Sequence, residues 1–150
     1  MKLASTKISS NVGSLCSQFK HSLPFFTPGY RCFLDNKFAE SLNEEFPAFD
    51  PDLASGESEN VGLNCIHENL TEPGHTFVKL DQLCRGESFL SLMASLTGIP
   101  AMIQDPHYFG GGTHGNLSRQ DLDLHIDFNY HPVRNAHWRL NFILFLNKTW

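Results

Sequence analysis

The stretch "DLDLHIDF", residues 121–128, alternates polar and apolar residues without a slip. Asp121, Asp123, His125 and Asp127 fall on one side, and Leu122, Leu124, Ile126 and Phe128 on the other. A period of two belongs to a β-strand with one face packed and one face polar. The polar face is unusual in its chemistry, because it carries three carboxylates and an imidazole rather than a mixture of Ser, Thr and Lys. Such a face either meets water or lines a site that wants nitrogen and oxygen donors. His125 and Asp127, at i and i+2, project together, and one imidazole with one carboxylate begins the facial set of two His and one carboxylate that holds Fe(II) with open positions. Taken alone, His-x-Asp does not separate a metal wall from a solvated face.

The rest of the chain frames that strand. The 150 residues are enough for one domain with a core, and 41% apolar with 18% charged content is globular. The thirteen Phe residues imply an aromatic core. The net charge of −5 and the lack of Lys or Arg runs argue against nucleic-acid and membrane-surface partners. No segment approaches the ~18 apolar residues of a spanning helix, and the N-terminus has no continuous apolar core of a signal peptide. Cys16, Cys32, Cys65 and Cys84 are widely and irregularly spaced, which signals neither a zinc cluster nor a disulfide framework. Free thiols and a cytoplasmic location are the expectation.

Residues 1–22 are Ser-rich and weakly patterned, and are expected to form a weakly ordered N-terminal segment. "PFFTPGYRCFL", 24–34, suggests strand, turn and strand. Asp35 is placed to cap a helix whose face carries Phe38, Leu42 and Phe46, with Pro47 ending it. Residues 50–62 have loop composition, and 63–80 suggest short strands around Pro73-Gly74. A second helix is expected over 81–97 on Leu83, Phe89, Leu92, Met93 and Leu96, with Gly98 and Pro100 as its stop. "IPAMIQ" reads as a strand, "FGGGTHGN" as a glycine-rich loop that lacks the phosphate-cradle pattern, and "WRLNFILFLNKTW", 138–150, as a strand buried on both faces. Helices first and strands later is the order of an α+β domain.

"LHIDFN" followed by "RLNFILFLNKTW" resembles the iron(II)- and 2-oxoglutarate-dependent oxygenases of the prolyl 4-hydroxylase-like group. In that family a His-x-Asp strand and a loop precede a strand ending in a Leu-Asn-x-x-Trp pattern, here Leu146, Asn147 and Trp150. "CFLDNKFAESLNEEFP" is similar, more loosely, to the family's leading helix. The resemblance covers about 24–150 and implies a double-stranded β-helix, or jelly roll, with supporting N-terminal helices. Residues 23–150 would then be the N-terminal portion of an oxygenase domain, incomplete at the C-terminal side of its barrel.

The same resemblance implies Fe(II) held by His125 and Asp127, 2-oxoglutarate as co-substrate, ascorbate among the cofactors, and hydroxylation of a C–H bond in a protein or small-molecule substrate. It implies no catalytic residues beyond the metal ligands. Asn141, Ile143 and Phe145 share the side of the last strand that faces the co-substrate. Relatives often have Tyr at the position of Phe145, which has no hydroxyl, so Asn141 is the donor left on that side. His107 and Tyr108 are candidate substrate contacts beside the glycine loop. The family's third ligand, a His, and a cation for the co-substrate follow several tens of residues after the Asp, beyond Trp150. The 150 residues alone are therefore expected to be inactive and to expose 140–146 as an unpaired edge. His107, His114, His131 and His137 are the remaining histidines near the motif. An alternative is a jelly-roll binding module that has lost its metal site; a zinc hydrolase lacks a supporting ligand motif.

Overall fold

A computed structural model describes residues 12–21, 33–55, 64–118, 120, 127 and 129–148. These fall into two compact units, one drawn from 1–46 and 71–106, the other from 47–70 and 107–150. Every described helix longer than one turn lies in the first unit, and every described strand in the second.

The helical unit contains α1 (Val12–His21), α2 (Asn36–Glu44), α3 (His75–Arg85) and α4 (Glu87–Thr97). Helix α1 lies within the N-terminal segment that the sequence suggested was weakly ordered, and it buries Phe19. Helix α2 starts where the cap predicts: Asp35 accepts the Lys37 and Phe38 N–H groups at 3.1 and 3.3 Å. Such a cap contributes about 1 kcal/mol. Leu42 is fully buried. The helix ends at Glu44, short of Pro47, so Phe46 lies past its end and packs against Phe77 with ring centroids 6.3 Å apart.

The single helix expected over 81–97 is two helices. Gly86 adopts an extended conformation between them, as the poorest helix former other than Pro in that run. Helix α3 begins at His75, six residues before the expected start. The start is set by a residue distant in sequence. Glu45, just past α2, accepts both the Thr76 N–H at 2.7 Å and the Thr76 hydroxyl at 2.6 Å. A Cβ at position 74 would collide with that carboxylate, so Gly74 makes the approach possible. Phe77, Leu80, Phe89, Met93 and Leu96 form the helical core with Phe33, whose ring meets Phe89 edge-on at 6.3 Å. Buried Asp81 is paired with Arg85 at 2.8 Å, and Arg85 also donates to the Pro106 carbonyl. Gly98 ends α4 in the left-handed region, at φ 73°, as its sequence position predicts.

The sheet unit is smaller. Asp50 caps a 3-10 turn at Pro51–Leu53, and β1 (Ala54–Ser55), β2 (Asn64–His67) and β3 (Thr113–Gly115) form an antiparallel sheet in that order. Cys65 stands opposite Gly115, Ile66 opposite His114 and His67 opposite Thr113. Three of the eight residues of the glycine-rich loop are thus strand. Gly110 and Gly112 both have positive φ, and Gly112 passes so close to the His67 carbonyl that no Cβ fits.

Two strand expectations meet a different structure, and two fall largely outside the described residues. Residues 99–104 are irregular, because Ala101 has φ 53° and breaks the extended run, leaving Ile103 exposed. Residues 138–148 form no strand, and Phe142, Ile143 and Phe145 are exposed rather than buried on both sides. Residues 121–126 and 128 of the alternating stretch, and 24–32 of the aromatic stretch, lie outside the described residues. No helix among the described residues is long and apolar enough to cross a membrane.

Candidate metal centre

Asp127 and Asn141 are fourteen residues apart, and a closed loop between them brings them together. Trp138 donates its backbone N–H to Asn129 at 3.0 Å, and His131 donates to Ala136 at 2.9 Å. Tyr130 and His137 make one antiparallel bridge, and their rings meet edge-on at 5.2 Å. The Tyr130 hydroxyl also donates to the side-chain oxygen of Asn135. Chain entering the loop is thereby set beside chain leaving it.

Across that closure the Asn141 Nδ2 donates to Asp127 Oδ2 at 2.7 Å. The amide cannot turn over freely, because Trp138 Nε1 donates to Asn141 Oδ1 at 2.5 Å. An indole N–H can only donate, so it fixes which end of the amide is oxygen. The other end must then present its N–H to Asp127, whose Oδ2 accepts it.

His131 is buried inside the loop at 7% exposure. Its Nδ1 accepts the Val133 and Arg134 backbone N–H groups at 3.2 and 3.0 Å, so that nitrogen carries no proton. Its ring stacks on Trp138 at 6.1 Å with 14° between planes, and Phe109 lies 5.8 Å away on another side. His131 therefore fills and braces the loop, with Nδ1 committed to the backbone.

The residues that the motif singled out are distributed as follows. Asp127 and Asn141 meet. His125 lies outside the described residues. Ile143 and Phe145 are 67% and 65% exposed. Tyr108 is half-buried in a turn closed by Gly111 N–H to its carbonyl at 2.7 Å, with φ 49°, and His107 is exposed beside it. His114 sits on β3, where partial desolvation holds its imidazole below the ordinary value. Among the described residues, no three His, Cys, Asp or Glu side chains gather as a metal group.

The motif gives no role to Trp138 or His131. Their roles depend on the loop closing, and single-sequence periodicity carries no signal for that. Imidazole and carboxylate are donor types that Fe(II) takes, and of that pair the described residues contain Asp127, which is exposed and accepts from Asn141. No family model matches the chain, and no curated protein or solved structure matches it.

Proposed function

We propose that this chain belongs to an Fe(II)- and 2-oxoglutarate-dependent dioxygenase of the prolyl hydroxylase-like kind, built on a jelly roll, that hydroxylates a C–H bond of a protein or small-molecule substrate. The observation that carries the reading is the 2.7 Å hydrogen bond between Asn141 and Asp127. The motif names these residues independently, one as a ligand and the other as a co-substrate neighbour, and they are in contact. In this reading His125 and Asp127 hold the iron, and a further His completes the set. Bound iron would bring dioxygen, the oxidant, to the C–H bond, while 2-oxoglutarate would give up two electrons as it becomes succinate and CO2.

The chain's own residues then have distinct tasks. Asn141 keeps one Asp127 oxygen engaged and so limits the rotations open to the carboxylate. Trp138 keeps the Asn141 amide in the donating orientation. In this reading Ile143 and Phe145 provide apolar surface to the co-substrate, and Tyr108 and His107 contact the substrate.

The test is succinate release and Fe(II) affinity of the whole gene product carrying His125→Ala, Asp127→Ala or Asn141→Ala. Loss of turnover in the first two is expected. Asn141→Ala should weaken iron binding by about 10- to 100-fold, the usual cost of removing a group that holds a ligand. Undiminished turnover in His125→Ala removes His125 from the site and the proposal with it.

A further inference from the structure

Strand β2 carries a second polar group that oxygenase chemistry leaves unused. Cys65 and His67 are two residues apart on it and share a face. Cys65 is 1% exposed. Its Sγ lies 3.6 Å from His67 Nε2 and accepts the Asp50 backbone N–H at 3.3 Å. His67 is half-buried, so its ring connects the thiol to the surface. Directly opposite His67, on the same face, is Thr113. It is 4% exposed, and its Oγ1 has no hydrogen-bond partner among the described residues. A buried hydroxyl left unpaired is unfavourable and calls for an explanation.

We propose that Cys65 is a hydroperoxide-reactive thiol, with His67 as its base and Thr113 as the donor for the oxygen that sulfur acquires. His67 takes the thiol proton, and the thiolate attacks one oxygen of hydrogen peroxide. The S–O bond forms as the O–O bond breaks. The departing hydroxide recovers the proton from His67 and leaves as water. Cys65 becomes a sulfenic acid, oxidised by two electrons, while the peroxide is reduced by two.

Two features select this chemistry. The 1% exposure of Cys65 excludes a disulfide as large as oxidised glutathione, which leaves a small hydroperoxide as the oxidant class. Cys65 is also the only cysteine within 47–70 and 107–150, so no second thiol of its own unit consumes the product. A resident metal is less suited, because no third His, Cys, Asp or Glu joins Cys65 and His67 among the described residues, and structural zinc takes four ligands.

The experiment exposes the native chain to hydrogen peroxide and follows oxygen addition at each cysteine by peptide mass spectrometry. Cys84 is the internal reference, since burial and the neighbouring Asp81 push its thiol up to about 11. Cys65 is expected to gain oxygen well before Cys84. His67→Gln should slow the reaction at Cys65 by about a hundredfold, the low end for a positioned base. Thr113→Val should leave the rate of addition unchanged and shorten the life of the sulfenic acid. Oxidation of Cys65 no faster than Cys84, or at the parent rate in a folded His67→Gln variant, overturns the proposal. Should His67→Gln not fold, an unaltered sulfenic acid lifetime in Thr113→Val does so.

Discussion

The two units of this chain hold their residues in place by different means. In the helical unit, large apolar side chains disappear from water: Leu42 is 0% exposed, Phe77 1% and Leu96 2%. Among the described residues of the sheet unit, the buried ones are Cys65, Leu70, Thr113 and His131, while Phe142, Ile143 and Phe145 face solvent. There the chain is fixed by directed hydrogen bonds, such as Asp127 to Asn141 and His131 to the backbone of its own loop. Apolar burial is additive and tolerant of small displacements. Hydrogen bonds are local and directional, so they fix the orientation of particular groups.

The sharpest way to break this contrast is to cut one large side chain from each unit. Phe77→Ala is expected to lower the unfolding free energy by about 3–5 kcal/mol. Ile143→Ala should change it by no more than about 0.5 kcal/mol, as exposed substitutions do. Urea titrations of both variants read the difference, and equal losses would mean that 142–145 is buried in solution.

A smaller effect isolates a backbone requirement of the helical unit. Gly98 sits at φ 73°, where a Cβ is disfavoured. Gly98→Ala should cost about 1–2 kcal/mol in the same titration. A neutral result would show that α4 ends differently.

The smallest effect is electrostatic. Hydrogen bonding to the Thr76 hydroxyl, outweighing some desolvation, and further backbone hydrogen bonds from Thr76 and Phe77, hold the Glu45 carboxyl below its ordinary value of 4.5. Its folded value is depressed, so its contribution is present above 4.5 and is lost as pH falls through the lower folded value. Helicity monitored by circular dichroism should therefore decline with acid below pH 4.5 more steeply in the parent than in Glu45→Gln. Parallel declines would remove Glu45 as the cap of α3.

How much of this could be read in advance depended on how far apart the partners lie in sequence. Asp35 bonds to residues two and three ahead, and Gly98 closes a turn on Ala94, so local rules located both helix ends. The start of α3 was not legible, because its cap is Glu45, thirty-one residues before Thr76. The break at Gly86 was missed because apolar spacing runs through it. Thr113 was read as loop because its strand exists only through pairing with His67. At the candidate metal centre the motif named Asp127 and Asn141, and gave Trp138 and His131 no role.

By itself the sequence determined the chemical types on hand: an imidazole and a carboxylate at strand spacing, a capped amphipathic helix, a left-handed stop at Gly98. Those follow from backbone geometry and side-chain chemistry over a few residues. Only the tertiary structure decided that Asn141 would hold Asp127, that Glu45 would open α3 and that Cys65 would lie beside His67 under an unpaired Thr113 hydroxyl. A hydrogen bond forms only where donor and acceptor approach within about 3 Å, and for distant residues that approach is set by the path of the whole chain.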